Sequence, residues 1–149
     1  MSTPQQRIES DLKEAMKAKD KERLSTLRML LSEVKNERIK RGDELDEEAF
    51  VAVVRRSVKQ RQDSEDQYRK GGRAELADKE KAEAGILGAY LPKQASEDDV
   101  RAAIRELVAA EGLSGPKAMG PVMKAMLQRF GTSADGATIN RLAREVLGL

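Results

Sequence analysis

The chain has 149 residues, with 28 Lys/Arg against 26 Asp/Glu, 36% charged residues and 3% aromatics. It has no cysteine and no histidine, which excludes disulfides, thiol catalysis, cysteine-ligated zinc and any nucleophile that relies on an imidazole base. Residues 1–94 hold 21 Lys/Arg against 19 Asp/Glu and residues 95–149 hold seven of each, so neither half is a basic block that by itself announces a nucleic-acid partner.

The Ala, Leu, Glu, Lys and Arg content reads as an all-α protein. Thr3 is placed as an N-cap, with Pro4 at the first helical position and Gln6 closing a capping box. Ile8, Leu12, Ala15, Met16 and Lys19 trace one face of the helix that follows. Asp20 is a weak break: it caps a second helix or interrupts one bent helix. Leu24, Leu27, Leu31, Val34 and Arg38 make the next stripe, which Gly42 ends. Asp46-Glu47-Glu48 opens a third helix with acidic residues where the macrodipole favours them.

The stripe of this third helix is Phe50, Val54, Ser57/Val58, Arg61, Glu65 and Tyr68. Its apolar character fades, leaving Lys59–Lys70 almost wholly polar over a helix of roughly 35 Å. That polar half is expected to project past the core or to cover a partner. Gly71-Gly72 breaks it. A fourth helix runs from Arg73 to Tyr90 through Leu76, Ala77, Glu80, Ala84 and Leu87. Gly85 and Gly88 inside it either weaken it or permit close backbone approach.

Proline lacks an amide proton and disfavours helix in the residue before it, so Leu91-Pro92 is a joint. Ser96 caps the next helix, with Asp99 three residues on. Val100, Ala103, Ile104, Leu107 and Val108 form its stripe, ended by Gly112. Met119, Val122, Met123, Met126, Leu127 and Phe130 form the next, read as core rather than as an adaptable methionine surface. Ile139, Leu142, Ala143, Val146 and Leu147 form the last, capped by Asp135. The expected architecture is an N-terminal subdomain of about four helices over residues 1–92, joined to a C-terminal three-helix bundle over 93–149.

Chemistry is sparse. Lys21, Arg28 and Lys35 repeat every seven residues, and Arg55, Arg56, Lys59 and Arg61 cluster on the third helix. They either hold phosphates or form a solvated face laced by ion pairs with Glu22, Glu33, Asp63 and Glu65. A buried guanidinium at Arg61 or Arg28 needs a carboxylate, and Glu80 and Glu83 are the candidates. Glu80 and Glu83 also share a helical face as an acid/base pair would, but an ion pair is the simpler reading. Gly131–Gly136 lacks the Lys-Ser/Thr of a phosphate-binding P-loop and reads as a helix–helix turn whose amides could meet an RNA phosphate. No metal site, cofactor site or catalytic constellation is visible. No apolar run approaches the ~20 residues of a membrane span. Residues 1–6 lack a signal peptide's apolar core, so the expected address is the cytosol.

A set of motifs runs in order over nearly the whole chain. They are Leu24-Ser25-Thr26-Leu27-Arg28-Met29-Leu30, Lys59-Gln60-Arg61-Gln62-Asp63-Ser64, Gly72-Arg73 with Leu76-Ala77, and Lys79-Glu80 with Glu83. Tyr90-Leu91-Pro92-Lys93-Gln94, Met119-Gly120-Pro121-Val122-Met123 and Ala134-Asp135-Gly136 with Asn140 complete the set. Through them the chain resembles the GatB/YqeY family of small bacterial proteins, related to the tail of the B subunit of glutamine-dependent aspartyl/glutamyl-tRNA amidotransferase. The resemblance implies a four-helix part followed by a three-helix part.

It also implies an accessory role: the related tail domain helps recognise tRNA, while the carbon–nitrogen ligase chemistry lies elsewhere in that enzyme. The expected function is a noncatalytic module binding tRNA or a tRNA-handling complex. The alternatives are a protein–protein adaptor and, behind it, a component of the amidotransferase activity itself. The candidate RNA-binding residues are Lys117, Lys124, Arg129, Asn140, Arg141 and Arg144. A second surface or set of motif residues comprises Arg28, Arg55, Arg56, Lys59, Arg61, Asp63, Arg73, Glu80, Glu83 and Tyr90. The chain departs from the family pattern at Gly131-Thr132-Ser133, where a basic residue is common, and at Gly85 and Gly88, where bulkier residues are.

Overall fold

The computed structural model describes residues 2–149, which form seven α-helices and two single 3-10 turns, with no strand among them. The helices are α1 (Pro4–Lys17), α2 (Lys21–Arg41), α3 (Glu47–Lys70), α4 (Ala74–Gly88), α5 (Glu97–Glu111), α6 (Met119–Phe130) and α7 (Gly136–Leu147). They fall into two compact units, Met1–Leu91 and Pro92–Leu149.

In the first unit, Thr3 and Gln6 close a reciprocal capping box at the start of α1. The break at Lys19-Asp20 is real. Lys19 takes a left-handed φ of 55°, and the amides of Lys19 and Asp20 return to the carbonyls of Met16 and Ala15, the bonding of a Schellman turn. Asp20 then accepts from the Arg23 amide and starts α2 afresh. Lys19 therefore sits in an exposed turn rather than on the apolar face of α1, and Met16 is 57% exposed. Gly42 closes α2 at φ 77°.

The core of this unit gathers Ile8, Ala15, Leu27, Leu30, Val34, Leu45, Ala49, Phe50, Val53, Val54 and Leu87, with Leu24, Leu31 and Tyr90 packed at its margin. Helix α2 packs on α1, α3 and α4. Its buried arc is accordingly wider than one stripe and includes Thr26 and Leu30. The polar half of α3 contributes no residue to this core, and its partner is within the unit. A Schellman turn at Gly71-Gly72, in which the Arg73 amide donates to the Tyr68 carbonyl, reverses the chain. Helix α4 then packs along α3 and covers it. Gly85 and Gly88 do not serve close approach, since a Cβ at either would meet nothing within 4 Å.

The second unit has its own core of Val100, Ala103, Ile104, Val122, Met126, Ala134, Ile139, Leu142 and Ala143. Ser96 caps α5 by accepting from the Asp99 amide. A 3-10 turn over Pro116–Ala118 leads into α6, and a second over Gly131–Ser133 precedes the Asp135 cap of α7. Met126 is buried, and Met119 and Met123 pack partly buried against the same core. Leu127, in contrast, is 46% exposed. The Ala95 amide donates to the Ser133 carbonyl at 2.8 Å, and Gln94 Nε2 donates to the Thr132 carbonyl, tying the start of this unit to the α6–α7 turn.

Candidate functional site

The first unit brings three of the motif residues together. Arg61 projects from α3 toward α4, where Glu80 and Glu83 stand one turn apart. The Arg61 Nε lies 3.4 Å from Glu83 Oε2 and 4.0 Å from Glu80 Oε2. The three side chains are only 15%, 18% and 10% exposed in the order Arg61, Glu80, Glu83, so this is an ionic seam inside the helix pair rather than a surface pair. Its geometry is incomplete. Arg61 Nε and Glu80 Oε2 are buried without a hydrogen bond, and a terminal guanidinium nitrogen of Arg61 is directed at the Met29 sulfur, 3.1 Å away. Burial, and then the neighbouring Glu80, push the Glu83 carboxyl above the ordinary carboxylate range against the pull of Arg61.

Tyr90 anchors a second polar point of the same unit. Its hydroxyl donates to the Asp11 carboxylate from α1, and its ring meets Phe50 edge-on at 6.2 Å between centroids. Burial, followed by that hydrogen bond to an anion, raises the phenol well above its usual range. The Arg7 guanidinium stacks 5.4 Å from the Phe50 ring centre and pairs with Glu47 at 3.2 Å. A tyrosine so fixed ties α1 to the end of α4.

The remaining members of that set are dispersed. Arg56 pairs with Glu37 at 3.7 Å, which Arg41 also holds at 3.1 Å. Arg55 is half-buried, whereas Arg28, Lys59, Asp63 and Arg73 are exposed. No ion pair engages Arg28, Lys59, Asp63 or Arg73 among the described residues. The helix-spaced pairs that do form are Arg41–Glu37, Arg69–Glu65 and Arg101–Asp98, so of Glu22, Glu33, Asp63 and Glu65 only Glu65 is engaged in this way.

In the second unit, Lys117 sits on the 3-10 turn before α6 and Lys124 on α6, both exposed and without an ion-pair partner among the described residues. Arg129 lies 3.9 Å from Glu106 and stacks against Phe130. On α7, Arg141 pairs with Glu97, and the Arg144 Nε donates to Asn140 at 3.1 Å. Asn140 thus positions Arg144, whereas Arg141 is committed to an acidic partner. Arg101, which the sequence did not single out, bridges Asp98 and Glu145 and ties α5 to α7. The α7 N-terminus is weaker as an anion site than its sequence promised. Asp135 already accepts from the Ala137 amide at 3.1 Å and places a carboxylate there. Among the described residues no group of three or more acidic side chains is arranged to hold a metal ion, and no helix is long and apolar enough to cross a membrane.

A family model described as "Yqey-like protein" matches residues 5–147. Three similar proteins carry the name "Altered inheritance of mitochondria protein 41, mitochondrial". The one from Lachancea thermotolerans is 37% identical over 112 residues, covering 73% of this chain and 60% of the relative. That from Pyrenophora tritici-repentis is 28% identical over 155 residues, covering 99% and 84%. That from Saccharomyces cerevisiae is 31% identical over 106 residues, covering 69% and 57%. The chain thus spans less than two thirds of two of these relatives.

These three relatives are eukaryotic. One expectation is corrected by their names: they are named as mitochondrial, which overturns the cytosolic address. The physical reason is that a missing apolar core argues only against a secretory signal. Mitochondrial targeting segments are amphipathic and arginine-rich instead.

Proposed function

The chain belongs to the YqeY-like protein family, and from that membership we propose that it is a noncatalytic helical module that binds tRNA. The observation that carries this reading is the stretch 116–130. It holds Lys117, Lys124 and Arg129 and no acidic residue, and its two lysines are exposed without ion-pair partners among the described residues. Cations left without an internal carboxylate are the ones that phosphates can neutralise, with release of counterions. Arg144, held by Asn140 rather than by an acid, adds a third to these two lysines. The ligand class comes from the resemblance to the amidotransferase B-subunit tail, whose role lies in tRNA recognition.

The noncatalytic half of the proposal rests on how the polar groups are used. Glu80 and Glu83 face Arg61 inside a helix pair instead of facing each other across a cleft, and Tyr90 is tied to Asp11. The test is charge reversal of exposed residues. Lys124→Glu combined with Arg144→Glu is expected to weaken binding to bulk tRNA by about tenfold or more, read by fluorescence anisotropy, with the helical circular dichroism unchanged. Unchanged affinity would remove the second unit from the interface. Partner capture that survives nuclease would then favour the adaptor role.

A further inference from the structure

The α3–α4 seam has one cation for two carboxylates. Arg61 approaches Glu83 at 3.4 Å and Glu80 at 4.0 Å, yet its Nε hydrogen-bonds neither. The buried Oε2 of Glu80 accepts nothing. Glu83 is the one buried member of a cleft of about 310 Å³ whose other walls are Lys21, Glu22 and Ser25 of α2 and Lys79 of α4. Its side chain is nine-tenths buried, and its carboxylate accepts no hydrogen bond from any described residue. Neither Lys21 nor Lys79 comes within ion-pair distance of it. Glu83 thus brings to the floor of this cleft a carboxylate that Arg61 approaches but that no N–H donor of the described residues satisfies.

We propose that this cleft binds an organic cation rich in N–H donors, a guanidinium or primary ammonium, against Glu83. Such a group supplies the charge that the Arg61–Glu80–Glu83 cluster lacks. The second carboxylate of Glu22 and the hydroxyl of Ser25 stand at the exposed rim to receive its remaining donors. The raised Glu83 carboxyl agrees with this shortage, because burial and Glu80 outweigh Arg61. Lys21 and Lys79 stand on the same rim and oppose a cation, which holds the expected affinity to about the millimolar range. The cleft lies wholly within the first unit and uses none of the cations assigned to RNA, so the two readings stand or fall separately.

The chemistry is shared by a free alkylguanidine or polyamine and by the basic side chain of a protein partner. Agmatine and N-acetyl-arginine amide, titrated into the full chain and followed by amide NMR shifts, separate these sources. Saturable shifts centred on residues 21–25 and 79–83 are expected. Saturation by both ligands assigns the site to the free headgroup, and saturation by the capped arginine alone assigns it to a partner's side chain. Lys79→Met removes an exposed like charge and is expected to tighten binding about two- to fivefold. Glu83→Gln is expected to abolish it. No saturation by either ligand up to roughly 50 mM, or affinities unmoved by both substitutions, would overturn the proposal.

Discussion

The decisive residue is Glu83, where burial and charge disagree. Its folded-state pKa is raised by desolvation first and by Glu80 second. The stability of the protonated form is therefore fully present below the unfolded carboxylate value, and it is lost as pH rises through the folded one. Glutamine at this position fixes the neutral form and offers an amide donor to the orphaned Oε2 of Glu80. Glu83→Gln is accordingly expected to stabilise the protein by about 1 kcal/mol near neutral pH, the order of one relieved buried acceptor. The gain should vanish below about pH 4, where the wild-type carboxyl is protonated too. Urea denaturation at the two pH values measures this, and a loss of stability at neutral pH would show that the Arg61–Glu83 attraction outweighs desolvation. The partnership of Arg61 with Glu80 and Glu83 was legible in the sequence, because a guanidinium on an otherwise apolar stripe demands a carboxylate. That of Tyr90 with Asp11 was not: 79 residues separate them, and no local spacing encodes a contact made by packing α1 against the end of α4.

Among the elements, α4 is the least well made. Its N-cap, Arg73, contributes no side-chain hydrogen bond, and no basic residue complements its last turn. Gly85 lies inside it, exposed, where a methyl group would touch nothing within 4 Å. Gly85→Ala should raise stability by roughly 0.5–1 kcal/mol through the unfolded chain's entropy. Thermal denaturation that shows no gain or a loss would reveal a need for glycine that the space around it does not display. Helix starts were readable where caps such as Thr3, Ser96 and Asp135 act through neighbours three residues or fewer away, whereas the break at Asp20 was left open and the fourth helix ends at Gly88, short of Tyr90. The partner of α3's polar half was not readable. The seam that joins it to α4 runs through Arg61, Glu80, Glu83 and the Arg69–Asp78 pair, so hydrophobic periodicity carries no trace of it. The buried arc of α2 was misplaced for a related reason. A helix with neighbours on several sides buries Thr26 and Leu30 beside the expected stripe.

At the scale of the whole molecule, each compact unit closes its own apolar core, and the chemistry divides accordingly. The first unit buries Arg61, Glu80 and Glu83 in a helix-to-helix seam and leaves Arg28, Lys59 and Arg73 exposed without ion pairs among the described residues. The second keeps Lys117 and Lys124 exposed on a stretch without acids. Net charge conceals this division, since the chain carries only +2 overall. What separates a phosphate-binding cation from a structural one here is whether a carboxylate stands beside it. The candidate residues were legible as a list, but their sorting was not: Arg141 has Glu97, whereas Arg144 has only Asn140.

The central claim is that these uncommitted cations meet RNA phosphates, and the salt dependence of tRNA affinity tests it most directly. Three contacts predict a slope of roughly −2 to −3 in log affinity against log salt, a fall of about 20- to 40-fold between 50 and 200 mM. A slope near zero, or no binding at the lower concentration, would contradict the RNA reading.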